Sequence, residues 1–556
     1  MGMLTIHPST TAGFILLEIK GIAPSESPVL LPSCRYIPHI DRWICSLFDI
    51  LYYILYIHNV VKYGLIIYPD PEHTLKPILD FQTNTSFNSN IIQNKVNFTH
   101  NTYRKPYEHQ KIGIQLLKSN DYYGIWDEQG AGKTLQVIES LNDQCLVVCP
   151  KNGTINWAKE VEASNKTYTL VVGDKEKRLK LYRADSQFLI ASFGVIQRDI
   201  LTMRKTYPSV VIDECHRMRN RYTKTAKAIT RLKADKRIAL SGTPISKYVF
   251  DLWPVLNWLT KGQFGSGNRF KNYYCINKEK NIWKTVNNRK KKIVVKSIIG
   301  TKHKKELEEK LSWFSVRRLK KDCLDLPDKI FSSKYFKLEK EHMNFYNEIK
   351  EKFIIELEQE KDIRIQNELV KCTRLRQTVV WPDLLGKRID STKIDVLSEL
   401  IQDFIDDNKI IIWTNFVKLV EYLKERYGRY NPVTLYGKTK DSKKVQEIFQ
   451  EDDNCRLIIA NPASGGESIN LSSANVAIYL DRTYNYIDWA QSKERPHREG
   501  LIGKLYTISL VAVNTIDEHI DEVLQQRSKL SASILDPTTV KSPTRDEILE
   551  YLKGEK

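Results

Sequence analysis

Twice along this chain, short apolar runs alternate with longer polar segments of helical character. That rhythm restricts the fold more than any other feature. The first series is Cys145-Leu-Val-Val-Cys149, Phe188-Leu-Ile-Ala191, Val210-Val-Ile212 and Ile238-Ala-Leu240. The second is Ile410-Ile-Ile-Trp413, Leu457-Ile-Ile-Ala460, Val476-Ala-Ile-Tyr-Leu480 and Leu505-Tyr-Thr-Ile-Ser-Leu510. Runs that are apolar without interruption belong to strands covered on both faces, and the polar segments between them are the crossovers that parallel pairing demands. The expected class is therefore α/β, with two parallel-sheet lobes.

With 556 residues the chain exceeds what one core organises. Residues 1–81 form an aromatic-rich accessory unit, read as a small α+β domain, with Gly13-Phe-Ile-Leu-Leu-Glu-Ile19 as a strand. Residues 82–102 carry six Asn and little periodicity, which reads as a linker. The first lobe covers 103–250, a helical basic insert and inter-lobe region 251–390, the second lobe 391–530 and a tail 531–556. The segment Trp43–Tyr68 is expected to be a buried helix. Its apolar run Ile50–Ile57 is short of the ~18–20 residues that span a bilayer. No signal peptide is expected, since no basic n-region leads into an apolar stretch.

Charge narrows the partners. Eighty-six Lys+Arg against 67 Asp+Glu leave +19, which favours a polyanion. The surplus concentrates in Lys271–Lys321, with 17 Lys/Arg against four Glu. Within it, Asn288-Arg-Lys-Lys-Lys292 fits a phosphate-binding stripe, a nuclear import signal or a solvated face. The nine cysteines form no CxxC pair, so zinc fingers lose their support and reduced thiols are expected.

Asp127-Glu128-Gln129-Gly130-Ala131-Gly132-Lys133-Thr134 follows an apolar run and precedes a helix-like one. A strand–loop–helix of this kind aims backbone N–H groups at phosphate; Lys133 would reach the β/γ-phosphates and Thr134 would ligate Mg2+. The strict pattern has Gly where this chain has Asp127. Downstream, Val210-Val-Ile-Asp213-Glu214-Cys-His216 puts two carboxylates at a strand end, where α/β sheets bind ligands. Asp213 can hold Mg2+ through water and Glu214 can orient and deprotonate an attacking water. His216 either couples the site to neighbouring loops or caps the turn. In the second lobe, Arg495 and Arg498 lie three apart, a spacing that shares one helix face and can present arginine fingers. Gly466 and Glu467 belong to a loop after a strand.

Taken in order, Lys105-Pro-Tyr107-Glu-His-Gln110, the 127–134 loop, Asp213–His216, Leu240-Ser-Gly-Thr-Pro244, Gly465–Leu471 and Gln491–Arg498 resemble the motifs of superfamily-two helicases over residues 103–525. Asp251-Leu-Trp-Pro-Val-Leu-Asn257, Val316-Arg317-Arg318-Leu-Lys320 through Pro327, Ser391-Thr-Lys393-Ile and Arg495-Pro-His-Arg498-Glu-Gly500 are similar to the Swi/Snf family in particular. The resemblance implies two RecA-like lobes, ATP and Mg2+ as cofactors, and duplex DNA as partner, without a membrane. It implies that Gln110 reads the adenine edge with Tyr103 or Tyr107 stacking nearby. It also implies that Ser241 and Thr243 relay between lobes, that Gly466 and Glu467 link ATP to DNA, and that Arg495 and Arg498 are the fingers. The chain departs from the family at Leu501, where Gln is common.

Cys34 to Trp43, followed by an apolar stretch, resembles the small N-terminal domains of annealing-helicase and phage branch-migration enzymes, which implies forked or branched DNA. The expected activity is an ATP-driven duplex translocase that remodels branches or protein–DNA complexes. Strand separation on DNA or RNA, or a non-catalytic ATP-gated clamp, are the alternatives. A cytoplasmic site in a bacterial or phage-infected cell is expected, or a nuclear one in a eukaryote.

Overall fold

The structure is a computed structural model. It describes residues 105–530 apart from 204, 246–247, 263, 287–288, 325, 360–364, 440, 463–468 and 499, and before residue 105 it describes the backbone of five strands. The linker 82–102 and the tail 531–556 lie outside the described residues. The chain divides into two compact units, Met1–Cys323 and Leu324–Lys556.

The first five strands make one sheet, in the order Arg35–Ile37, Arg42–Ser46, Phe14–Lys20, Met3–Pro8, Ile66–Pro69. All pairings are antiparallel except that of Met3–Pro8 with Ile66–Pro69. The stretch expected as one helix over Trp43–Tyr68 therefore begins and ends in strands. Trp43, Ile44 and Cys45 are good strand formers, and Phe14–Leu17 offers them a ladder. Residues 47–65 lie outside the described residues.

Seven parallel strands form the sheet of the first lobe. Their order is Ser315–Val316, Tyr122–Ile125, Ala234–Leu240, Tyr207–Ile212, Cys145–Cys149, Phe188–Ser192, Tyr168–Leu170. Each residue of Cys145–Cys149 is buried, as a strand covered on both faces must be. The edge strand Ser315–Val316 joins from far along the chain, so the first unit runs to Cys323.

The second lobe is a six-stranded parallel sheet, Lys329–Phe336, Leu505–Ala512, Val476–Tyr479, Ile410–Trp413, Leu457–Ala460, Val433–Leu435. Its edge strand Lys329–Phe336 exposes Phe331 and Tyr335 by about half. Hydrophobic clusters cover both faces, one around Trp413, Leu471 and Ile516, the other around Leu397, Ile412 and Leu419.

The region between the series is helical over Trp253–Leu259, Gly267–Tyr274, Lys304–Ser312, Lys340–Gln359 and Ile365–Val380. Its most basic part is not helical. Cys275–Val286 and Arg289–Thr301 pair as a long antiparallel hairpin, from Cys275↔Thr301 to Val286↔Arg289, with one shift of register between Ile276 and Asn277. The β-branched residues Ile276, Ile282, Ile293, Val294 and Val295 favour strands more than the lysines favour helix. Among the described residues no helix is long and apolar enough to cross a membrane, and the described cysteines are free.

Buried charge stitches the second unit. Asp481 accepts from Arg376 NH2 at 2.5 Å, from Thr414 Oγ1 at 2.6 Å and from Asn415 N and Nδ2 at 2.9 and 2.8 Å. Lys393 and Asp517 form a second, fully enclosed pair. Removing one partner of such a pair leaves the other charge in low dielectric without compensation. Asp481→Ala is therefore expected to destabilise the second unit by about 3–5 kcal/mol, read as a lowered urea midpoint for that unit's transition.

Candidate functional site

Three neighbouring strands of the first lobe deliver their loops to one end of the sheet. Tyr122–Ile125 leads into the 127–134 loop, Ala234–Leu240 into Ser241-Gly242-Thr243, and Tyr207–Ile212 into Asp213-Glu214. Because the strands are parallel, all three turns sit at carboxyl ends, where ligands bind in such sheets.

The loop after Ile125 is shaped by two left-handed glycines, Gly130 at φ +82° and Gly132 at φ +73°. Gly132 opens the helix Lys133–Ser140, whose first turn receives no side-chain cap. Its N–H groups thus form the electropositive end that suits an anion. A Cβ on Gly132 would stand 2.2 Å from Gln110 Nε2. Gln110 itself is committed to the loop: Nε2 donates to Ala131 O at 3.3 Å and Oε1 accepts from Tyr107 N at 3.0 Å. His109 Nε2 meets the same Ala131 oxygen at 2.9 Å.

Lys133 donates to the carbonyls of Asp127 and Glu128 at 2.8 and 3.0 Å. Burial pulls its pKa below the ordinary lysine value, against the opposing pull of Glu214, Asp127 and Asp213. Glu214 adopts a left-handed backbone, φ +52°, uncommon for a residue with a side chain and a local strain. Burial pushes its carboxyl up. His216, by hydrogen bond and charge, together with Lys133 outweighs that and holds it below the ordinary carboxylate range. His216 Nδ1 lies 3.1 Å from Glu214 Oε2 and 3.1 Å from Ser241 Oγ, and Gln129 Nε2 donates to Glu214 Oε1 at 3.4 Å. His216 thus joins the carboxylate to the Ser-Gly-Thr loop rather than merely capping its turn.

Asp213 accepts from the Trp157 indole N–H at 2.8 Å on Oδ2 and from Glu214 N at 2.9 Å on Oδ1. Trp157 was not singled out from sequence. The available signal was a tryptophan one turn into the helix Gly153–Ala163, directly after an all-buried strand. Among the described residues no group of three or more His, Cys, Asp or Glu could hold a metal by itself. The oxygen donors at this end of the sheet are the Thr134 hydroxyl and the Asp213 carboxylate, the kind of ligand that a hard cation such as Mg2+ would take.

The Asp127 side chain has a different task from the rest of the loop. It is fully buried; both oxygens accept from Arg318, and Oδ2 also accepts from Gln136. It is a buried ion pair and presents no group to a phosphate; only its carbonyl, through Lys133, faces the loop.

Comparison with known families decides what this assembly belongs to. Residues 109–384 match the SNF2-related domain and residues 392–500 the helicase conserved C-terminal domain. The chain belongs to the Swi/Snf-like ATPases of helicase superfamily two. A Mycoplasma pneumoniae protein described as an uncharacterized ATP-dependent helicase is 27% identical over 86% of this chain and 46% of its own length. The ISWI chromatin-remodeling complex ATPase ISW1 of Saccharomyces cerevisiae is 25% identical over 78% of this chain and 40% of its own. The chain thus spans less than half the length of these curated relatives. A solved structure, the Sulfolobus solfataricus SWI2/SNF2 ATPase core in complex with dsDNA, is 26% identical over 83% of this chain and 99% of its own, with a TM-score of 0.38.

The Swi/Snf-like arginines of the second lobe do not share a helix face. The helix Tyr486–Lys493 stops before them, because Pro496 lacks an N–H and disfavours helix at the residue before it. Arg495 is buried, donating from NH2 to Pro462 O at 2.9 Å and lying over Trp413. Arg498 is half-buried, with Nε donating to Glu494 O at 3.3 Å. Gly466 and Glu467, and Tyr103, lie outside the described residues.

Gly132→Ala is expected to cost about 1–2 kcal/mol from the left-handed backbone alone, and more from displacing Gln110. A urea titration checks this. Adding Gln110→Ala should return the part due to the clash and leave the backbone part, and a strictly additive pair of losses would show that the two side chains do not meet.

Proposed function

We propose that this chain hydrolyses ATP to move along duplex DNA, and that it remodels DNA branches or protein–DNA complexes. The observation that carries the reading is the meeting of Lys133, Glu214 and Ser241, through Gln129 and His216, at one sheet end of a Swi/Snf-like chain. The uncapped helix start and Lys133 would bind the phosphates. Thr134 and Asp213 would hold Mg2+, which when bound neutralises phosphate charge; Trp157 fixes Asp213 for that role. Glu214, kept ionised by His216 and Lys133, is placed to orient a water and take its proton. Arg498 and Arg495 are the candidates for stabilising transition-state charge from the second lobe.

DNA is favoured by the +19 surplus and by the hairpin Cys275–Thr301, which carries eight Lys/Arg and one Glu. Basic residues fall on both strands of that hairpin, with Lys284 and Lys291 at paired positions of the register. Phosphate contacts from such residues confer affinity without sequence preference. The name of the yeast relative, a chromatin-remodeling ATPase, accords with work on protein–DNA complexes. Branch selection is assigned to the N-terminal sheet, where the edge pair Arg35–Ile37 and Arg42–Ser46 sets Tyr36 opposite Trp43 and brings Arg35 and Arg42 into the same ribbon. Those residue types contact phosphates and stack on unpaired bases.

Glu214→Gln keeps the shape and removes the base. It should bind ATP normally and lose roughly 10²–10⁴-fold in steady-state turnover; near-normal hydrolysis would take Glu214 out of the mechanism. Replacing Arg35, Tyr36, Arg42 and Trp43 together by Ala should leave hydrolysis stimulated by linear duplex unchanged and abolish any preference for forks or four-way junctions. An equal loss on every DNA would make that sheet a packing element instead, and stimulation by RNA rather than DNA would overturn the choice of partner.

A further inference from the structure

Arg317 and Arg318 belong to the segment that resembles the Swi/Snf family, and the hydrolytic scheme leaves them without a task. Both follow the edge strand Ser315–Val316, which lies beside Tyr122–Ile125, the strand that feeds the phosphate loop. The two segments stay paired past the end of the sheet: Trp126 N donates to Val316 O at 2.8 Å and Glu128 N to Arg318 O at 3.1 Å. Side chains then close the seam. Arg318 grips Asp127 as a fork, Nε to Oδ1 at 2.9 Å and NH2 to Oδ2 at 2.6 Å, and its own backbone N donates to Oδ1 at 3.1 Å. The same guanidinium donates to Gln136 Oε1 at 2.9 Å and to the His109 carbonyl. Gln136 lies on the helix that the loop opens, and its Nε2 donates back to Asp127 Oδ2 at 3.2 Å.

The neighbours are shaped around this fork. A Cβ on Gly113 would stand 1.8 Å from Gln136 Oε1 and 3.1 Å from Arg318 NH2. Lys320 N donates to Glu128 Oε2 at 2.7 Å, so both acidic residues that open the loop are held by the 318–320 segment. Arg317 NH1 donates to Trp126 O at 3.3 Å and to Gly242 O at 3.1 Å, tying in the Ser-Gly-Thr loop as well. The helix after the loop, the segment before it and the adjacent loop are thus all fastened to two arginines, shortly before the first unit ends at Cys323.

We propose that Arg318 is a positioning residue for nucleotide phosphate, acting through Asp127. It fixes the register between the loop's first arm and the helix Lys133–Ser140, and so fixes where Lys133 and the first-turn N–H groups point. Asp127 is the residue by which this loop departs from the Gly of the strict pattern. The departure creates the handle that Arg318 holds. A planar fork sets angle as well as distance, which an ammonium does not.

The inference rests on reading the 127–134 loop as the phosphate site, so the test separates the two. A fluorescent ATP analogue is titrated into the full-length chain, and melting is followed on the same samples. Arg318→Met should lower Tm, because Asp127 is left buried and unpaired, and should weaken analogue binding by tenfold or more. Asp127→Asn combined with Arg318→Met removes the stranded charge, so Tm should recover while binding stays weak. Arg318→Lys should keep Tm near wild type and still weaken binding, since it retains charge but not the fork. Binding that recovers in step with Tm in the double variant, or that Arg318→Lys leaves unchanged, would make the pair a stabilising contact only and overturn the proposal. Failure of the wild-type chain to bind the analogue would overturn the phosphate-site reading, and this proposal with it.

Discussion

A short parallel strand buried on both faces can carry no chemistry along its length, because every side chain it owns is spent on packing. Everything reactive must leave from its end, and in a parallel sheet all the carboxyl ends lie on one side. That constraint gathers the residues of the first lobe. Lys133, the adjacent pair Asp213 and Glu214, and Ser241 come from three separate stretches of sequence, yet each lies in the segment that follows a strand end in the same sheet. Close packing of the loops then tunes the charges. Glu214 is buried and Lys133 half-buried, and burial works against the charge on each. Each is a reason for the other to stay charged, with His216 siding with the carboxylate.

The parts of this arrangement that were legible in the sequence are those encoded by neighbours in the chain. The central strands of both parallel sheets follow from short, largely apolar runs, whereas the edge strands Ser315–Val316 and Lys329–Phe336 fall in a region expected to be helical; the phosphate loop and carboxylate pair are each one continuous motif. What was not legible is encoded across distance. Asp127 looked like one more loop residue, because the partner that buries it stands 191 positions away. Trp157 carried no motif of its own; only the folded sheet brings its indole to Asp213. The basic hairpin was read as helical because Lys-rich composition suits a surface helix, whereas the β-branched residues among those lysines decide the outcome. For Arg495 and Arg498, spacing suggested one helix face and the intervening Pro496 broke it.

Charge is used differently in the two units. In the first, Asp127, Lys133 and Glu214 stand in the segments that follow two strands, while Arg178–Asp199 and Lys310–Glu306 are enclosed pairs elsewhere in the unit. In the second, Arg376–Asp481 and Arg482–Asp521 fasten helices to the segment after the strand Val476–Tyr479, and Lys393–Asp517 joins two helices, within a core that is otherwise apolar. Such pairs contribute little net stability over well-packed apolar substitutes, but a wrong register strands a charge, so they are strict about alignment. Asp481 shows this most fully: all four of its donors must be in place at once.

The edge strand Lys329–Phe336 is the first strand of the second unit in the sequence, yet its ladder partner, Leu505–Ala512, is the last strand of that sheet. The first lobe repeats the device, with Ser315–Val316 lying against Tyr122–Ile125. Each sheet is thus fastened between ends of its own sequence. Loop-closure entropy must be met before such a pairing returns anything. During synthesis, Phe331 and Tyr335 have no neighbouring strand until nearly the whole unit has emerged, and an unpaired apolar edge invites pairing with other chains. The topology that brings the unit's first strand against its last therefore makes each lobe an all-or-nothing folding event, with its greatest exposure to misassembly just before completion.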